Sequence, residues 1–159
     1  MAEFALTVNG RSLRVTALET TPLLDVLRNQ LDLKGTRYGC GLEQCGSCMV
    51  LLDGEPIYAC SREIATVAGR AVTTIEGLGS AAQPHPLQRA FLDEQAGQCG
   101  YCLSGIVIGA KALLDRNPSP TRAEIAAALD RHLCRCGAHP RILRAIEQAA
   151  AVLREGTGA

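Results

Sequence analysis

From Phe4 to Val15 apolar and polar positions alternate. Phe4, Leu6 and Val8 lead into Asn9-Gly10, and Leu13 and Val15 follow it. A period of two marks strands with one buried face, and Asn-Gly is the pair that a two-residue hairpin turn favours. In that register Leu6 faces Leu13 and Phe4 faces Val15, so both strands present their apolar residues on one side. Thr21-Pro22 then predicts a helix start, with Thr21 as N-cap, Pro22 in the first turn, and Leu23, Leu24, Leu27 and Leu31 behind it. A second hairpin is predicted in CMVLLDGEPIYAC, with Asp53-Gly54 as its turn. That turn pairs Leu52 with Glu55, Val50 with Ile57 and Cys48 with Ala59, which leaves Cys60 beside Cys48. RAVTTIEGL reads as a closing strand.

In the second half the period becomes helical. Candidate helices run from Pro86 to Ala96, Cys102 to Arg116, Arg122 to Leu133 and Pro140 to Arg154. Thr121 and Glu124 have capping-box spacing, and Asn117-Pro118-Ser119-Pro120 is a stop between helices. Four such helices imply a small bundle. Periodicity lapses over GSAAQPHP, residues 79 to 86, so residues 1–78 and 79–159 are expected to be two domains of an α+β chain.

The length of 159 residues, 47% of them apolar, suffices for one ordinary domain or two small ones. Sixteen basic residues balance sixteen acidic ones, and no basic cluster interleaves with aromatics, so no nucleic-acid partner is expected. The longest apolar run, GIVIGAKALL, is too short for a membrane span and contains Lys111. MAEFALTVNG lacks the basic and apolar regions of a signal peptide. The expected compartment is therefore the cytoplasm, or the periplasm by co-export with a partner.

Eight cysteines, at 40, 45, 48, 60, 99, 102, 134 and 136, fall into two groups of four. Without a signal peptide, such groups point to metal ligation rather than disulfides. The loop GTRYGCGLEQCGSC admits three readings: a phosphate loop, a zinc knuckle or an iron-sulfur loop. Its glycines lack both the dinucleotide and the Walker spacing. Cys40-x4-Cys45-x2-Cys48, with Cys60 after the hairpin, has instead the plant-type ferredoxin spacing for a 2Fe-2S cluster. Glycines suit a loop that wraps an anionic cluster, because they allow positive φ and let backbone N–H groups approach sulfur. The second set, Cys99-x2-Cys102 and Cys134-x-Cys136, is compatible by spacing alone with a redox dithiol, half a zinc site or a second cluster at one end of the bundle.

YGCGLEQCGSCMVLLDG, QCGYCLSG and HLCRCG together resemble the small iron-sulfur subunit of the molybdenum hydroxylases, the xanthine dehydrogenase and aldehyde oxidoreductase family, over nearly the whole chain. The resemblance implies a plant-type ferredoxin-like β-grasp domain followed by a four-helix domain. Each carries one 2Fe-2S cluster: the first on Cys40, Cys45, Cys48 and Cys60, the second on Cys99, Cys102, Cys134 and Cys136. It also implies a large partner subunit holding the molybdenum cofactor, with Gln98 and Cys136 matching the family's pterin contacts. CRCGAHPRI departs from the Cys-x-Gly-Tyr ending of many members and is similar to the isoquinoline and nicotinate oxidoreductase branch. In that branch the acceptor is often cytochrome c rather than an FAD subunit. The implied role is electron transfer within an oxidoreductase complex, with no substrate chemistry on this chain.

Two rival functions are a free diffusible ferredoxin and a zinc-stabilised interaction module. His139 is read as a helix N-terminal residue, because four cysteines already complete the site, and His85, between prolines in the linker, and His132, in a helix, are read as structural because an unpaired histidine is commonest in non-catalytic settings. Tyr38 and Tyr101, beside cysteines, are read as packing residues.

Overall fold

The computed structural model of the protein describes residues 1–156. Asn9 and Gly10, with φ of 50° and 77°, turn β1 (Ala2–Val8) into β2 (Arg11–Ala17), as Asp53 and Gly54, at 50° and 86°, turn β3 (Met49–Leu52) into β4 (Glu55–Tyr58). Both turns have positive φ at both central positions, the condition that selects Asn-Gly and Asp-Gly. The registers follow: Leu6 pairs with Leu13, Phe4 with Val15, Val50 with Ile57 and Leu52 with Glu55. β5 (Ala71–Thr73) runs parallel to β1 and antiparallel to β3, giving one mixed sheet in the order β2-β1-β5-β3-β4.

A helix closes one face of this sheet. α1 (Leu23–Asp25) runs directly into a π-helical turn (Val26–Gln30), and Leu23, Leu24, Val26 and Leu27 are buried with Leu6, Val8, Val15, Val50 and Leu52. Each such aliphatic side chain stabilises the fold by about 1.5–3 kcal/mol on burial. Beyond the sheet, α2 (Pro86–Asp93), α3 (Leu103–Arg116), α4 (Arg122–Ala128) and α5 (His139–Gly156) pack around Leu87, Ile106, Ile125, Ile142 and Ile146. The predicted α+β architecture is therefore present, a ferredoxin-like sheet followed by four helices.

β3 joins the two halves. All four of its residues are buried: Val50 and Leu52 face the sheet core, while Met49 and Leu51 meet Ile108 and Ala112 of α3. The unbroken apolar run MVLL is the pattern of a strand covered on both sides. Cys48 immediately precedes β3 and Cys102 is the N-cap of α3, so this one packed pair carries a cysteine from each set at its entrance.

Three predicted elements differ in detail. Pro22, not Thr21, occupies the N-cap of α1, with extended ψ of 137° and no side-chain cap. The closing strand is confined to Ala71–Thr73, because Thr74 turns the chain into a short 3-10 segment (Ile75–Gly77) whose Ile75 packs against the helical core. The helix expected to reach Leu133 stops at Ala128: the Leu129 N–H is shared among several carbonyls, and the Leu133 N–H leaves the helix direction altogether for Cys45 O.

Truncating Ile108 to Ala removes the main contact of α3 on β3 and should destabilise the protein by about 2–5 kcal/mol. Val152→Ala, at a side chain 48% exposed, should change stability by less than about 0.5 kcal/mol. Paired thermal denaturation curves check this; equal midpoints would show that the α3–β3 contact is not structural.

Candidate metal centres

The first four cysteines come from a loop and a hairpin. Residues 35–48 contain almost no regular secondary structure, so their backbone N–H groups are free of ladder duty and several point at sulfur. Leu42 and Gln44 N–H donate to Cys40 Sγ at 3.3 and 3.2 Å, and Cys40 N–H donates to Cys45 Sγ at 3.4 Å. Burial raises the Cys40 pKa, but the donors from Leu42 and Gln44, with the Cys45 thiol, outweigh it and bring the group down to about 7. Cys60 reaches Cys48 through the hairpin, where the Ala59 N–H bonds Cys48 O at 3.2 Å. Burial pushes the Cys48 thiol up to about 12, and the adjacent Cys60 thiol adds to the rise against the lowering effect of the Cys60 N–H. A methyl group at Gly39 would lie 2.6 Å from Cys45 Sγ, so only glycine fits there.

The second four lie where α3 begins and where α4 gives way to α5. Cys99 and Cys136 adjoin each other, as do Cys102 and Cys134. The Tyr101 N–H and the Cys136 thiol lower the Cys99 pKa. At Cys134 burial raises the pKa, yet the backbone N–H groups of Ala138, Cys136 and Gly137 and the Cys102 thiol lower it on balance. Burial and the Cys134 thiol push Cys102 up to about 12. Each set thus pairs a thiol that ionises readily with one that needs a cation beside it to ionise.

The grouping of the sulfurs bears on which centre they fit. Within both sets the sulfurs adjoin in twos: Cys40 with Cys45, Cys48 with Cys60, Cys99 with Cys136, and Cys102 with Cys134. A tetrahedral zinc site needs four ligands about one point, whereas a 2Fe-2S rhomb takes two thiolates at each iron. The donor set fits the rhomb.

The two sets are tied together by the loops that carry them. Leu133, next to Cys134, donates its N–H to Cys45 O at 3.0 Å. Arg131 donates to Glu43 O at 3.1 Å and lies 5.0 Å over the Tyr58 ring. On the other side Arg37 donates to Gly100 O at 2.9 Å and lies 5.1 Å over Tyr101, whose hydroxyl donates to Tyr38 O at 2.5 Å. Tyr101 is therefore a clamp between loops. Sequence reasoning passed over Arg37 and Arg131, since a lone arginine whose partners are distant backbone carbonyls leaves no local signal.

The remaining predicted positions separate cleanly. Gln98 and Cys99 are exposed, and Cys136 adjoins Cys99, so Gln98 and Cys136 belong to one solvent-facing edge. His85 caps α2, accepting from Leu87 N–H while Gln88 closes a capping box. His139 opens α5, with Nε2 3.4 Å from His132 O.

Residues 6–72 match the family described as 2Fe-2S iron-sulfur cluster binding domain, and residues 74–147 match the 2Fe-2S binding domain family. A nicotinate dehydrogenase subunit of Pseudomonas putida is 53% identical over 95% of this chain and 96% of its own length. The alpha subunit of isoquinoline 1-oxidoreductase from Brevundimonas diminuta is 50% identical over 94% and 97%. The crystal structure of aldehyde oxidoreductase from Desulfovibrio desulfuricans superimposes with a TM-score of 0.94 at 40% identity, covering 98% of this chain and 17% of that one. Quinoline 2-oxidoreductase from Pseudomonas putida gives 0.92 at 33% identity, covering 98% and 97%.

Gly39→Ala should displace Cys45 and abolish or alter the first cluster while leaving the second, since the methyl meets Cys45 Sγ. Iron and acid-labile sulfide analysis should fall from roughly four of each per chain to about two. A preparation that holds stoichiometric zinc without sulfide contradicts the assignment.

Proposed function

The chain belongs to the family of 2Fe-2S subunits that includes those of nicotinate dehydrogenase and isoquinoline 1-oxidoreductase, and on that premise we propose that it is the electron-transfer subunit of a molybdenum-containing hydroxylase. In this reading residues 1–78 are the domain that would hold the first cluster on Cys40, Cys45, Cys48 and Cys60, and residues 79–159, of which 157–159 lie outside the described residues, the domain that would hold the second on Cys99, Cys102, Cys134 and Cys136. Each cluster supplies, when bound, a one-electron couple that the protein's side chains lack. The chain's own residues hold the sulfurs in pairs, aim backbone N–H groups at them and keep the two sets in register.

The observation that carries this reading is the bond from Leu133 N–H to Cys45 O at 3.0 Å. It links the ligand Cys45 to the residue beside the ligand Cys134, so a single hydrogen bond spans the two sets. A free diffusible ferredoxin with the first motif is typically a single domain with one set, and this chain's balance of sixteen basic and sixteen acidic residues gives little charge for steering transient encounters.

The edge of Gln98, Cys99 and Cys136 is the side offered to the pterin of a large molybdopterin-binding subunit. The exit is the first loop, where Leu42 is 71% exposed. The acceptor there is a cytochrome c or an FAD subunit. Among the described residues no helix is long and apolar enough to cross a membrane.

Cys45→Ser tests the direction of the relay. Once electron paramagnetic resonance verifies that the first cluster is lost or altered, substrate should still reduce the second cluster in an anaerobic single turnover, while turnover with the external acceptor should fall by at least about a hundredfold, a loss of roughly 2.7 kcal/mol in transition-state terms. Acceptor turnover near the unaltered rate would show that electrons do not leave through the first set. Native mass measurement should also find the chain bound to a much larger subunit, whereas a stable monomer in cell extract would contradict the assignment.

A further inference from the structure

His132 is 4% exposed, and its Nδ1 is among the few buried side-chain polar atoms of the described residues without a hydrogen-bond partner. Its ring is enclosed by glycines from two different parts of the fold. A methyl group at Gly46, in the first cysteine loop, would lie 2.4 Å from Nδ1, and one at Gly109, in α3, would lie 2.6 Å from Nε2. Both distances are below any real contact, so the ring occupies space that only two glycines leave open. Gly46 has φ of 75°, a second reason that no other residue serves there.

The backbone on either side of this ring explains why it matters. The His132 N–H bonds Leu129 O at 2.8 Å, and the next N–H, that of Leu133, bonds Cys45 O at 3.0 Å. The Leu133 side chain is 60% exposed and anchors nothing by burial. The buried side chain adjoining the Leu133 amide is therefore the His132 ring, wedged between the halves.

We propose that His132 is a positioning residue of the electron relay: its ring, gripped between Gly46 and Gly109, holds the Leu133 N–H on the Cys45 carbonyl and thereby fixes the contact between the two cysteine sets. The proposal rests on the reading that both sets hold clusters. Since Nδ1 has no partner, the ring acts by shape rather than by hydrogen bonding at that atom.

The test uses the whole complex in three forms: His132→Ala, Gly109→Ala and the double variant. Hydrogen-deuterium exchange at the Leu133 amide should be at least about tenfold faster in His132→Ala, because removal of the wedge frees the loop. Magnetic interaction between the two reduced clusters, read by electron paramagnetic resonance, should weaken while the g-values of each stay as they were. Gly109→Ala should produce the same two changes with the ring present, although alanine favours a helix interior over glycine. In the double variant the added methyl meets no ring, so it should make neither readout worse than His132→Ala alone, a non-additive pair. Unchanged exchange at Leu133 in His132→Ala, or an equal penalty from Gly109→Ala with and without the ring, would overturn the proposal. Iron and sulfide analysis of the unaltered complex tests the cluster reading separately, because amide exchange reports the wedge whether or not iron is bound.

Discussion

The packing of α3 on β3 is the constraint on which the molecule depends. Cys48 stands at the entrance to the strand and Cys102 at the entrance to the helix, so burying Met49 and Leu51 against Ile108 and Ala112 also places one thiol of each set. Side chains alone do not account for the closeness. A Cβ on Gly105 would lie 2.0 Å from Gly46 O, which shows how tightly the start of α3 is pressed onto the first cysteine loop. The remaining cysteines reach their partners through elements tied to this pair: Cys60 through the β3–β4 hairpin, Cys134 through the turn that ends at the Leu133–Cys45 bond.

Electrostatics within each set follows from where its thiols sit relative to the backbone. Loop residues have spare N–H groups, and those near Cys40, Cys99 and Cys134 favour the ionised form. Cys48 and Cys102 are buried against apolar walls beside another thiol, which opposes ionisation. A cationic iron centre at each set would reverse that opposition by stabilising the thiolate, and the readily ionised loop thiols would favour its capture.

Much of this was legible in the sequence where one residue type answers one local demand. Asn9-Gly10 and Asp53-Gly54 announced their hairpins because positive φ at both turn positions excludes most other pairs, and the registers then followed. Cysteine spacing and the likeness to iron-sulfur subunits pointed to the metal sites for a comparable reason, since few chemistries use four thiols in that order. Elements decided by distant partners were not legible. The helix expected to reach Leu133 ends at Ala128, because the Leu133 N–H is claimed by Cys45 in the other half of the chain. His132, read as an ordinary helical residue, shows its role only beside Gly46 and Gly109, which sequence spacing does not connect to it.

The proposed relay requires two separate 2Fe-2S centres on one chain, one in each set of paired thiols. Spin quantitation of the fully reduced complex, frozen anaerobically, tests this most directly. Two distinct signals, each integrating to about one unpaired spin per chain, are the result the paired thiols require. A single signal of one spin per chain, or the spectrum of a four-iron centre, would contradict it.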